Sequence, residues 1–135
     1  MLMSFLFLFA AHCIADFGIQ SDFVVKNKSK DYYMLLVHCA IYTVVVAIGF
    51  LVIQFKDGVN IDWDWVISII LYSHFIIDFI KCRFRRKLYS NKEIEVDVYY
   101  DCEDQELRKR DVGLLWVDQL LHVAIIFAIY TSIIY

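Results

Sequence analysis

The sequence predicts an all-α membrane protein: a four-transmembrane-helix bundle, built as an internal parallel repeat of two helical hairpins, with a polar cytoplasmic insertion. Three observations carry this expectation. The 135 residues are 61% hydrophobic and contain no proline, and the mean hydropathy of +0.58 is far above that of a soluble domain. Four apolar stretches are long enough for helices that cross roughly 30 Å of hydrocarbon, which takes about 20 residues each. A two-part pattern of histidine and aspartate also occurs twice. A single membrane domain over residues 1–135 accommodates all of this; two domains do not.

The first stretch covers residues 1–20. It lacks the positive start and small-residue cleavage site of a signal peptide, so it reads as a retained helix. The second covers 32–55, the third 63–82 and the fourth 112–135. The first two connections are short. The third is long and charged, with a polar insertion at about 88–110. Within it, residues 93–99 alternate strictly between polar and apolar and predict a short strand. The acidic run at 101–106 lacks EF-hand spacing and reads, with the basic 108–110, as solvated. Cys13, Cys39, Cys82 and Cys102 form no C-x-x-C pair and suggest no disulfide framework.

Charge orients the helices. Of thirteen Lys and Arg residues, only Lys56 belongs to the second connection; the others flank the first and third. Positive residues stay on the cytoplasmic side, so both termini are expected outside the cytoplasm, in a multi-pass protein of the bacterial inner membrane. Trp63 and Trp65 then mark the outer interface, and Tyr32, Tyr33 and Trp116 the inner one. The expected partners are the bilayer and, at the Lys/Arg-rich inner face, anionic lipid headgroups. The net charge of −3 gives no basic bias towards nucleic acid.

The four histidines, His12, His38, His74 and His122, fall one to each apolar stretch. Three have an aspartate four residues away: His12 with Asp16, His74 with Asp78, and His122 with Asp118. That step puts both side chains on one helix face. Counted from the inner ends of the helices, all seven fall roughly 6–15 Å below the inner surface, in one layer. The repeat runs through this layer. His12-x-x-x-Asp16-Phe17 aligns with His74-x-x-x-Asp78-Phe79, and Leu36-x-His38-x-Ala40-Ile41 aligns with Leu120-x-His122-x-Ala124-Ile125. Both halves start and end on the same side, so the repeat is parallel. Asp118 breaks it, since its counterpart is Met34.

Ionisable groups in hydrocarbon are costly and usually functional. Imidazole with carboxylate is the ligand set of a divalent transition metal, with zinc first and iron or manganese sharing the chemistry. His12, Asp16, His38, His74, Asp78 and His122 are therefore the candidate ligands. A cation would offset three carboxylates that, at this depth, are expected to lack positive partners. The plainer reading is interhelical hydrogen bonding alone. Asp118 is the candidate general base, or else an acceptor that orients His122. Lys81, three residues after Asp78, reads by default as a snorkelling anchor, with pairing to Asp78 or an anionic lipid headgroup as the alternative; Gln20 and Gln119 read as interfacial or packing amides, with donation to carboxylates as the alternative.

With H-x-x-x-D-F-x-x-Q at 12–20, K-x-K at 28–30, L-x-H-x-x-x-Y at 36–42, H-x-x-x-D-x-x-K at 74–81 and D-Q-x-x-H at 118–122, the chain resembles the domain-of-unknown-function family numbered 3307, small bacterial and phage membrane proteins. The resemblance covers nearly the whole chain and implies no activity. A weaker likeness, by analogy alone, is to bacterial membrane-bound metal-dependent hydrolases. Three functions remain in view: metal-dependent hydrolysis of a lipid-linked or amphipathic substrate, a metal or proton carrier, and a non-catalytic membrane protein with a structural polar layer. A membrane oxygenase is disfavoured because its iron clusters need more histidines.

Overall fold

The computed structural model describes residues 2–19, 21–28, 31–89 and 105–134. Those residues contain helices and no strand; the strand expected at 93–99, and Gln20, lie outside them. Helix α1 is Leu2–Cys13. It runs into a π-helical turn, Ile14–Gly18, closed by the amide of Ile19 donating to the carbonyl of Ile14 at 3.0 Å. Helix α2, Asp22–Asn27, is capped by Ser21, whose Oγ accepts from the amide of Val24. Helix α3 is Tyr32–Asp57, helix α4 Trp63–Tyr89 and helix α5 Gln105–Ile134.

Helix α3 has explicit ends. Asp31 Oδ1 accepts from the amide of Tyr33 at 2.9 Å, satisfying an otherwise orphaned N-terminal donor. At the other end Gly58 adopts φ 67° and donates to the carbonyl of Gln54, the left-handed C-terminal stop that glycine reaches without steric cost. Asp62 then receives the amide of Trp65 and starts α4.

Helices α3, α4 and α5 each contain a segment long and apolar enough to cross a membrane: Tyr32–Asp57, Trp63–Phe84 and Val112–Ile134. The first apolar helix, Leu2–Gly18, is shorter. Sequence alone placed the inner ends of α4 and α5 at 82 and 112, whereas the helices run to Tyr89 and start at Gln105. The polar insertion is correspondingly shortened, and part of its expected solvated run is helical. Hydropathy marks where a helix leaves hydrocarbon, whereas Gln, Glu, Leu, Arg and Lys at 105–110 are good helix formers by propensity, which hydropathy does not report.

Helices α1, α3, α4 and α5 pack in cyclic order, with α3 against α1 and α4, and α5 against α4 and α1. Large apolar side chains such as Phe7, Val44, Ile48, Phe55, Tyr72, Ile76, Trp116, Leu120 and Phe127 face outward, the inverse of a soluble surface. The interior has two halves. Towards the α3–α4 connection, Leu8, Val46, Phe50, Ile53, Val66, Ile70, Ile126 and Ile129 form a continuous apolar core. That end is tied by Ser4, whose Oγ donates to Asp57 and accepts from Lys56. Towards the opposite end the interior turns polar. Free thiols Cys13, Cys39 and Cys82 agree with the absence of a disulfide framework among the described residues.

The α1–α3 contact depends on Gly49. A Cβ there would stand 3.2 Å from both Ala11 Cβ and Leu8 Cδ2, the close backbone approach that small residues permit between membrane helices. Gly49→Val is expected to cost about 1–3 kcal/mol through overpacking. Gly113→Ala, with nothing within 4 Å of its added Cβ, should be neutral or slightly stabilising through helix propensity. Unfolding in detergent micelles measures both; equal effects would remove the steric role from Gly49.

Candidate metal centre

All seven expected site residues, His12, Asp16, His38, His74, Asp78, Asp118 and His122, are buried, each at 5% exposure or less. One helical turn below the apolar core, α1 supplies His12, α3 His38, α4 His74 and Asp78, and α5 Asp118 and His122. Asp16 comes from the π turn. That turn carries one extra residue per hydrogen-bonded ring, and it buries Ala15 and Asp16 side by side.

The imidazoles form a chain. Ring centroids of His38 and His74 are 5.0 Å apart, of His74 and His122 4.3 Å, and of His122 and His12 5.8 Å. Tyr42, one turn after His38, lies flat on His74 at 3.6 Å and fixes that ring's plane.

His38 Nε2 is the most crowded atom of the layer. It lies 2.9 Å from His74 Nε2, 3.1 Å from Asp78 Oδ2, 3.5 Å from Asp16 Oδ1 and 3.4 Å from Lys28 Nζ. One ring nitrogen either donates or accepts, so no single protonation state suits both the ammonium and the carboxylates around it. The spacing does suit ligands of a shared cation: bonds near 2.1 Å in a tetrahedron imply ligand separations of about 3.4 Å. Two groups offer one ligand atom per residue with all atoms within 4.8 Å of one another: Asp16, His38 and His74; and His74, Asp78 and His122. His74 belongs to both.

His12 belongs to neither group. Its Nδ1 is 2.8 Å from the Tyr42 hydroxyl and its Nε2 2.9 Å from Gln119 Oε1. The tautomer follows from the neighbours. Gln119 Nε2 donates to Asp16 Oδ2 at 2.6 Å and to Asp118 Oδ2 at 3.1 Å; carboxylates only accept, so the amide orientation is set. Gln119 Oε1 then takes the proton of His12 Nε2, and His12 Nδ1 accepts from Tyr42. Both ring nitrogens of His12 are engaged by protein groups, Nε2 as donor and Nδ1 as acceptor, which departs from its expected place in the ligand set.

Two lysines correct the expectation that the carboxylates lack positive partners. Lys28 Nζ donates to Asp78 Oδ2 at 3.2 Å. Lys81 Nζ donates to Asp118 Oδ2 at 2.5 Å and lies 3.8 Å from Asp78 Oδ1. Lys81 thus follows the pairing alternative and not the snorkelling default, and Gln119 follows the alternative of donating to carboxylates. Their four-carbon and amide side chains reach back into the layer, a reach that linear hydropathy does not encode. Two of the three His–Asp pairs four residues apart share faces as expected but stand beyond hydrogen-bond distance: His74 Nε2 to Asp78 Oδ2 is 3.8 Å and His122 Nδ1 to Asp118 Oδ1 3.7 Å.

Among the described residues, the buried side-chain atoms without a hydrogen-bond partner are His74 Nδ1, Asp78 Oδ1, Asp118 Oδ1 and both ring nitrogens of His122. Buried polar atoms are normally satisfied. These concentrate on one of the two cation-sized groups and on the aspartate beside it.

The repeat locates the asymmetry. Tyr42, Gln119, Asp118 and Lys81 align with Ile126, Leu35, Met34 and Ile19. The residues that lock His12 and engage Asp118 are those the two halves do not share. Tyr42 was open to sequence reasoning, since its four-residue step from His38 places it on the same face; Lys28 was legible only as part of a motif.

The family model described as protein of unknown function (DUF3307) matches residues 4–135, and the chain belongs to that family. No curated protein and no solved structure matches it. Nothing in these comparisons supports the likeness to metal-dependent hydrolases.

Gln119→Leu leaves His12, Asp16 and Asp118 each without one partner and is expected to cost about 3 kcal/mol. Tyr42→Phe removes a single bond and should cost about 1 kcal/mol. Denaturation in detergent reads the difference; a neutral Gln119→Leu would show that the amide does not hold the layer together.

Proposed function

We propose that this chain is a four-span protein of the bacterial inner membrane whose His/Asp layer binds a divalent transition metal and hydrolyses a lipid-linked or amphipathic substrate at the cytoplasmic leaflet. The observation that carries the metal reading is the set of unsatisfied atoms on His74, Asp78 and His122, three residues already grouped at ligand spacing. Charge supports it. A divalent cation is a natural counter-charge for carboxylates and imidazoles gathered in a low-dielectric interior, where buried charges need partners. Zinc fits the imidazole and carboxylate donors best; iron and manganese accept the same set.

The short first helix can cross by local thinning of the bilayer, at modest cost. The Lys/Arg bias puts the polar end of the layer, with Lys28 and Lys81, on the cytoplasmic side.

A metal bound here would act as a Lewis acid and ease deprotonation of water. The side chains supply the rest. Lys81 and Gln119 pin Oδ2 of Asp118, leaving Oδ1 to take the water's proton. Tyr42 holds the His74 plane. His12, fixed by Tyr42 and Gln119, positions the amide that in turn positions Asp16 and Asp118.

Asp118→Asn should keep bound metal within about twofold and lower hydrolysis of the best substrate, from a panel of amphipathic esters and phosphoesters, by about 10²–10⁴-fold. Reconstituted vesicles provide both readouts. Metal flux across the vesicle membrane without hydrolysis would replace the enzyme by a carrier. Topology has its own check. A cysteine at exposed Asn60, in the α3–α4 connection, should react with an impermeant thiol reagent added to intact cells; reaction only after the inner face is opened would invert the orientation.

A further inference from the structure

Lys28 is a cation set among the candidate ligands. Its Nζ lies 3.2 Å from Asp78 Oδ2 and 3.4 Å from His38 Nε2, and those two atoms are 3.1 Å apart. The two groups at ligand spacing are Asp16, His38 and His74, and His74, Asp78 and His122. Lys28 touches one member of each. Whichever group takes a metal, one of its residues is already in contact with an ammonium. The contact with His38 gives the sharper conflict. An ammonium has only hydrogens to offer, so the ring nitrogen is the acceptor there, and its lone pair is the one a metal would need.

We infer that Lys28 is a built-in plug of the metal site: its ammonium and a metal exclude each other, and the lysine withdraws towards water when a metal takes His38 or Asp78. The inference rests on the metal reading above and adds how loading is controlled. Two like charges sharing a carboxylate oxygen in a poorly solvated layer repel strongly, and an ammonium cannot join the ligand set because it has no lone pair. Lys28 is built to leave. Its side chain is 12% exposed while that of Asp78 is wholly buried. It caps the C-terminus of the six-residue α2, and its compact charge rides on a flexible four-carbon stem. Lys81 differs. It donates to Asp118 Oδ2 at 2.5 Å and stands farther from Asp78, at 3.8 Å, so it keeps its acceptor when the site fills. Lys28 thus serves Asp78 until a metal arrives. A cation loads only when its bonds to imidazole and carboxylate outweigh the contacts Lys28 gives up.

The test uses the full chain in maltoside micelles, with Zn²⁺ titrated against a chromogenic chelator to read affinity and stoichiometry together. Lys28→Met keeps the stem and removes the ammonium. It is expected to bind Zn²⁺ about tenfold or more tighter than the wild type at the same stoichiometry, since the metal no longer has to break a hydrogen bond to a charged group. Lys28→Arg keeps the charge and should bind no tighter than the wild type. Lys56→Met, at the other end of the molecule beside Ser4, should change nothing. A second measurement needs no variant and decides if Lys28→Met does not fold. A water-soluble amine-acylating reagent, read by mass spectrometry, should label Lys28 of the wild type more when Zn²⁺ is bound and leave Lys81 unchanged. Equal or weaker Zn²⁺ binding by folded Lys28→Met, or Lys28 labelling that Zn²⁺ does not raise, overturns the plug and leaves the metal reading standing. No Zn²⁺ binding by the wild type or by any folded Lys28 variant overturns both.

Discussion

Three carboxylates held inside an apolar helical protein are the constraint on which the rest of the structure depends. Asp16, Asp78 and Asp118 are almost inaccessible, and an ionised carboxylate without compensation in such surroundings costs several kcal/mol or more. Each neighbouring polar group answers that cost. Lys28 and Lys81 reach in from the polar boundary, Gln119 bridges two of the carboxylates, and His38 stands between the other pair of them. The apolar half of the interior, from Leu8 to Ile129, seals the layer from the far side. Lys28 and Lys81 are the partly exposed charged members of the polar cluster, with side chains at 12% and 16% exposure.

The duplicated hairpin supplies a framework, and the departures from it supply chemistry. A symmetric protein would hold two equivalent histidine pairs. Here Tyr42 and Gln119 consume both nitrogens of His12, while His74 and His122, in the second hairpin, keep free nitrogens. The π turn adds a further difference, since the extra residue in its hydrogen-bonded ring rotates Asp16 towards His38 on one side of the layer only. The two halves thus hold their histidines in different ways.

Much of this was legible in the sequence, for a physical reason. Membrane helices have a fixed rise, so position along the chain converts directly into depth, and seven ionisable groups at one depth announce a layer. The helical period likewise placed each His–Asp pair on a common face. What the sequence did not give up concerns reach and orientation. Lys28 and Lys81 looked like topology charges because the length of a lysine stem lets one residue serve either role. His12 looked equivalent to His74 because the two differ in their neighbours from other helices and not in their own motif. The helical ends at 83–89 and 105–111 were hidden because hydropathy reports the solvent around a helix, while propensity decides whether it continues. Glycine at 49 carried no hint of Leu8 and Ala11, which meet it only after packing.

X-ray absorption at the metal edge of protein purified without chelators tests the central claim most directly. About one metal per chain should be present, with nitrogen and oxygen neighbours at about 2.0–2.2 Å and the outer-shell scattering pattern of at least two imidazoles, reduced in His74→Ala and His122→Ala. Protein that stays folded, binds no zinc, iron or manganese from metal-supplemented buffer, and melts at the same temperature with and without chelator would contradict it. The layer would then be a hydrogen-bonded polar core held by its lysines alone.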